Sequence, residues 1–188
     1  MELFLDTETS GKANFNKGYS YEQPWAVQLG LILSTEARIY AEISLIIHSD
    51  RRHIEKAALE VHGINTNTAD NCGVSQKTAC FIFLELLLNC NTLVCHNVNF
   101  DRLIAAHMLY TSGFEAEANY LMGTDSYCTM DMGTNLCKLP HYGGKYKWPK
   151  LNELYMHLFN DTFEGAHDAL VDVRATRKCY YKMIKGAR

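Results

Sequence analysis

The apolar positions of this chain follow two rhythms, and the rhythm changes once. Up to residue 47 they come in short, nearly continuous runs: Leu3-Phe4-Leu5, then Trp25 to Leu33, then Ile39 to Ile47. Runs of that length predict buried strands. Between the first two, residues 11–24 contain Gly11, Asn14, Asn16, Gly18 and Pro24, which predict a loop. Three strands in succession predict a meander. From residue 54 the spacing becomes helical. Ile54, Ala57, Ala58 and Val61 predict a short amphipathic helix stopped by His62-Gly63. Ser75 is placed to cap a helix running through Leu88, with Ala79, Ile82, Phe83, Leu86 and Leu87 on one side.

The second half alternates. Leu93-Val94-Cys95 predicts a strand and Phe100 to Tyr110 a helix; Asn97 or Asn99 is placed to cap it. A strand at Tyr127–Thr129 and a helix starting near Met132 are expected next. Leu139 to Pro149, with its prolines and Gly-Gly pair, predicts a loop. Helices are expected from Leu151 to Phe159 and from Asp168 to Ile184. Strands first, then β–α alternation, predict an α/β domain with a mixed sheet. At 188 residues the chain suits a single domain, residues 1–188, and shows no internal repeat or linker.

Composition narrows the class. Hydrophobic residues make up 47% and charged residues 21%, which excludes a disordered chain, and no apolar run reaches the roughly 18 residues of a membrane helix. The segment Met1 to Asp6 has no basic leader and meets an acid at once, so no signal peptide is expected. The seven cysteines, at 72, 80, 90, 95, 128, 137 and 179, are odd in number and show no Cys-x-x-Cys pair. That usage predicts reduced thiols in a cytoplasmic protein, with neither a disulfide framework nor a structural zinc site. Net charge is -3, which decides nothing about nucleic acid, because acids that hold cations also subtract from the total.

The candidate chemistry lies in four places. Asp6 and Glu8 stand two apart where a strand runs out, so both carboxylates share a face and can reach one ion. Asp101 follows the strand at 93–95 and falls in the first turn of the next helix. Ends of adjacent strands in an α/β sheet form the usual ligand crevice. His167 and Asp172 are five apart, about 140° from each other on one continuous helix at roughly 100° per residue. They converge only if His167 lies in the loop before the helix, as Gly165 allows; Asp168 would then be the cap. Clustered hard oxygen ligands with one base suit two divalent cations and an attacking water.

Taken together these segments resemble the DEDD superfamily of 3′-to-5′ exonucleases, in the DnaQ-like branch whose last motif carries histidine. The matching stretches are Phe4-Leu5-Asp6-Thr7-Glu8-Thr9-Ser10-Gly11, His96-Asn97-Val98-Asn99-Phe100-Asp101 and His167-Asp168-Ala169-Leu170-Val171-Asp172. Ala57 to Ile64 and Trp148-Pro149-Lys150-Leu151 resemble intervening segments of the same family. The resemblance spans about residues 2 to 184; residues 111–147 match no pattern of it. It implies a ribonuclease H-like mixed central sheet flanked by helices. It also implies that Asp6, Glu8, Asp101 and Asp172 hold two divalent ions, Mg²⁺ or Mn²⁺, with Asp6 bridging, and that His167 takes the proton of the attacking water. The expected product is a nucleoside 5′-monophosphate released from the 3′ end of DNA, single-stranded or frayed. Thr9 and Ser10 are candidates to meet the terminal 3′-OH, and His62 and Phe100 to stack against the last bases.

Other readings stay open on sequence. Phe100 also suits helix core, and Lys145, Lys147 and Lys150 with Tyr146 and Trp148 make either a phosphate-binding patch or a solvated loop. The same motifs serve RNA trimming, and a catalytically silent nucleic-acid-binding subunit would keep the fold, although all five motif residues are intact. A polymerase partner or homodimer is undetermined; proofreading would require association in trans.

Overall fold

In the computed structural model, residues 1–186 are described. The meander forms as expected: β1 (Glu2–Thr9), β2 (Ala26–Ser34) and β3 (Ile39–Ile46) pair antiparallel in turn. β1 runs longer than its apolar core suggested, so Asp6 and Glu8 are still in the ladder, opposite Gly30 and Gln28. Next come α1 (Lys56–His62), α2 (Thr66–Cys72) and α3 (Gln76–Leu87). The Ser75 side chain accepts from the Thr78 amide, and Gly63 ends α1 in the left-handed conformation at φ 72°. α2 went unread because its sequence, TNTADNC, buries only Ala69 and has no apolar stripe to detect.

β4 (Thr92–Cys95) then joins β1 in parallel, α4 (Val98–Thr111) and α5 (Glu115–Gly123) follow, and β5 (Ser126–Cys128) joins β4 in parallel. α6 (Thr129–Cys137) begins directly after β5, three residues before the expected start. α7 (Leu151–Phe159) and α8 (Ala169–Gly186) complete a mixed five-stranded sheet in the order β3-β2-β1-β4-β5.

The period-two alternation of β1 sorts its side chains to two cores. Leu3 and Leu5 face the layer that contains α3 and α4, whereas Phe4 packs with Ile32, Val94, Val173, Tyr180 and Tyr181 beneath α8. Helix α8 therefore has two working stripes. Val173 and Tyr180 meet the sheet, while Ala175, Cys179 and Met183 meet Leu154 and Tyr155 of α7. None of the helices described is long and apolar enough to cross a membrane.

Gly30 fixes how close α8 comes. A Cβ there would lie 2.3 Å from the backbone carbon and oxygen of Ala169, the first residue of α8. An isolated glycine inside a strand marks this kind of close backbone approach. Gly30→Val should destabilise the protein by about 1–3 kcal/mol through overpacking. The expected fall in melting temperature is roughly 2–12 °C. An unchanged melting curve would show that α8 has room to spare.

Candidate active site

β1 overhangs its parallel neighbour. The β1–β4 pairing covers Glu2 to Phe4, so residues from Asp6 onward extend past the point where β4 ends and the chain turns into α4. The crevice between these two strand ends receives side chains from three directions. Asp6 and Glu8 come from β1, on the face that carries α8.

Asp101 comes from the first turn of α4 and is 2% exposed, on the same stripe as the buried Ile104, Ala105 and Met108. A helix-capping carboxylate would sit in solvent; this one is turned inward. Its Oδ1 accepts from both the Thr7 amide and the Thr7 hydroxyl, each at 2.9 Å. Asn97 occupies the N-cap position of α4, but at φ 79° its side chain makes no capping bond. His96 is a structural tie: its ring nitrogens meet Thr129 Oγ1 and the Pro149 carbonyl, both at 3.0 Å, and burial lowers its pKa to about 4.

His167 lies in the turn before α8, as the five-residue spacing required. Gly165 and His167 both adopt positive φ, 79° and 72°, and the His167 amide donates to Asp172 Oδ2 at 3.1 Å. Asp168 caps α8 by accepting from the Leu170 and Val171 amides. In consequence Glu8, His167 and Asp172 each offer a ligand atom within 4.8 Å of one another.

Two residues beneath the cluster were not foreseen. Buried Gln28 donates to Asp168 Oδ2 and Ser44 Oγ and accepts from the Ala169 amide, pinning the start of α8 to β2. Thr7 holds Asp101. A lone amide within the apolar run 25–33 was the available clue to Gln28, since a buried polar group demands partners.

The substrate-side candidates divide. Thr9, His62 and Phe100 line one pocket of about 290 Å³ together with Thr7 and Glu8. The His62 Nδ1 accepts from the Ile64 amide, so a neutral ring carries its proton on Nε2, a buried atom that lies near the Thr9 backbone without a well-formed hydrogen bond to protein. Burial lowers the His62 pKa, opposed by the Thr9 backbone and reinforced by His167. Phe100 rests near the exposed Phe15, ring centroids 6.3 Å apart. Ser10 is placed differently: its Oγ accepts from the Trp25 amide at 3.2 Å, and it lines a separate groove.

The electrostatics call for a cation. Burial raises the pKa of Asp6 well above the ordinary value, and Asp101, Asp172, Glu8 and Asp168 push it further. Burial, then the same neighbours, raise Glu8 to about 8, and burial raises Asp101 to about 7 against the lowering effect of Thr7. Asp172 is raised by burial and leaves its buried Oδ1 without a partner. An all-oxygen set with an orphaned carboxylate oxygen fits a hard divalent ion.

A pH dependence follows. Well below their ordinary values, 3.8 for the aspartates and 4.5 for Glu8, the carboxyls are protonated in both states; toward pH 8 the unfolded chain ionises them while the fold resists, so the folded protein binds more protons and loses stability as pH rises. Melting in EDTA should show a falling midpoint from pH 5 to 8. Mn²⁺ at about 100 times its Kd should recover roughly 5–10 °C at pH 8. A flat EDTA profile, or no response to metal, would contradict the electrostatics.

The family model for the exonuclease domain RNase_T matches residues 3–180. The chain belongs to the RNase_T exonuclease family. That places it in the DEDD superfamily its motifs resemble. No curated protein matches it by sequence. Among solved structures, the zinc-bound Escherichia coli exonuclease I–ssDNA complex shares 20% identity at a TM-score of 0.74, covering 100% of this chain and 40% of that one. The same enzyme with a dT13 oligonucleotide gives 18% and 0.76, over 98% and 40%. The moderately thermophilic exonuclease I of Methylocaldum szegediense gives 21% and 0.76, over 100% and 40%. The fold of this RNase_T exonuclease is thus the ribonuclease H-like one, and the chain spans about 40% of the length of those proteins.

Proposed function

We propose that this chain is a metal-dependent 3′-to-5′ exonuclease that removes nucleoside 5′-monophosphates from single-stranded DNA or frayed 3′ ends. The observation that carries the reading is the meeting of Glu8, His167 and Asp172 within 4.8 Å beside the mutually repelling Asp6 and Asp101. Asp6, Glu8, Asp101 and Asp172 would hold two divalent ions, Mg²⁺ or Mn²⁺ by the hardness of their oxygens. Bound there, such ions neutralise the scissile phosphate, acidify the attacking water and stabilise the leaving 3′ oxygen.

The chain's own residues do the rest. Thr7 fixes the Asp101 carboxylate by two hydrogen bonds, so its free oxygen is aimed before any ion arrives. His167 takes the water's proton; its exposed ring sits on a turn locked by its own amide bond to Asp172. The pocket of Thr9, His62 and Phe100 receives the terminal nucleotide, with Phe100 as a stacking face and the His62 Nε2 as a donor to an oxygen of the nucleotide. The preference for single-stranded DNA is supported by the fold shared with exonuclease I, whose structures include DNA oligonucleotide complexes.

The test is digestion of 5′-labelled single-stranded DNA, duplex DNA and RNA of one sequence, with Mg²⁺, Mn²⁺ or EDTA. A metal-dependent ladder shortening from the 3′ end, fastest on single-stranded DNA, is expected. Equal or faster loss of RNA would make the chain a trimming exoribonuclease, and cleavage that persists in EDTA would remove the metal mechanism.

A further inference from the structure

Residues 138–150, of which 138–147 match no pattern of the family, form a finger. His141 and Lys145 pair through a backbone hydrogen bond of 3.1 Å, Lys147 N donates to Leu139 O at 3.0 Å, and Pro140 bridges Tyr146. The tip is the three-residue loop Tyr142-Gly143-Gly144, whose two glycines both lie at positive φ (81° and 76°), a backbone region that favours glycine. These backbone bonds join the finger's two legs. Its returning leg is anchored: Pro149 is buried, and its carbonyl meets His96, the residue before Asn97 and five before Asp101. Lys147 is also tied, to Glu153 at 2.6 Å.

What the finger presents is unusual for this chain. Tyr142 is 96% exposed, Trp148 67% and Tyr146 45%. From 138 to 150 the sequence has four lysines and no acid, in a protein of net charge -3. Lys138, Lys145 and Lys150 are exposed and have no carboxylate within salt-bridge distance among the described residues. A protein-docking patch is depleted in lysine. Exposed aromatic faces interleaved with free ammonium groups match a flexible polyanion that carries its own flat rings.

We propose that this finger is a binding site for single-stranded nucleic acid upstream of the 3′ terminus. Bases stack on Tyr142, Tyr146 and Trp148, and the backbone phosphates meet Lys138, Lys145 and Lys150. Its anchor on His96 ties it to the turn after β4, one of the two strand ends that frame the crevice. The site deepens the exonuclease reading and rests on it for its role as a track feeding the crevice, but the contact itself is testable without hydrolysis.

Fluorescence anisotropy of labelled dT15 and dT3 in EDTA reads binding alone. Tyr142→Ala, at a nearly fully exposed position that the fold does not use, should weaken dT15 by roughly 5- to 150-fold and collapse the dT15-to-dT3 affinity ratio. Tyr142→Trp should retain both. Lys145→Ala should lower the slope of log affinity against log salt by about 0.7. Unchanged dT15 affinity in both alanine variants overturns the proposal and leaves the finger to a protein partner. The two readings fail separately. Finger-dependent dT15 binding in a chain that never hydrolyses DNA would sink the exonuclease reading alone; hydrolysis with finger-independent binding would sink this one alone.

Discussion

Asp6→Asn is expected to abolish nearly all turnover and yet leave a metal-free protein that is more stable at pH 8 than its parent. Asp6 is the carboxylate with the most company: Asp101, Asp172, Glu8 and Asp168 all push its pKa upward, on top of burial. Asparagine keeps the size and one acceptor oxygen while removing the charge, so neighbouring packing is undisturbed. The repulsion among the remaining carboxylates falls, and melting in EDTA at pH 8 should shift to higher temperature. On the proposed mechanism the same change also removes a ligand of the ions. Several kcal/mol of charge stabilisation at the scissile phosphate disappears, which is at least about 10³-fold in kcat. A variant that loses both stability and activity would mean that Asp6 carries a structural role this geometry does not reveal. One that gains stability and keeps turnover would place the ions elsewhere.

That pairing of effects also explains which parts of the site were legible beforehand. The placement of Asp6, Glu8, Asp101 and Asp172 was legible because each lies in the C-terminal half of β1 or in the first turn of a helix, and short-range apolar rhythm locates those elements. Their supports cannot be read the same way. Gln28 acts through the Ala169 amide and Asp168, roughly 140 residues further along the chain, and Gly30 matters only because α8 crosses above it. Such pairings are tertiary, and local pattern carries only a trace of them, a polar residue and a glycine inside an apolar run. α2, α5 and the finger carry little local signal for a related reason. α2 and α5 bury few side chains, and the finger's order comes from backbone bonds across a Gly-Gly turn. Ser10 shows the converse: adjacent to Thr9 in sequence, its hydroxyl is used by Trp25.

His167 provides the second large effect, and the choice of replacement decides what is learned. Its backbone is left-handed, a conformation that alanine adopts at a cost but that asparagine tolerates. His167→Asn should therefore preserve the turn, the amide bond to Asp172 and the position of that carboxylate, while deleting the imidazole. General-base assistance contributes about 10²–10⁴-fold, so kcat at neutral pH should fall by that factor with KM nearly constant. If asparagine and alanine lose the same kcat while metal-induced stabilisation survives in both, the ring itself is what the reaction uses. If asparagine retains full turnover and alanine does not, the backbone turn was the important element and the proton must leave by another group. Such a result would withdraw His167 from the proton transfer and leave its turn as the support of the Asp172 carboxylate.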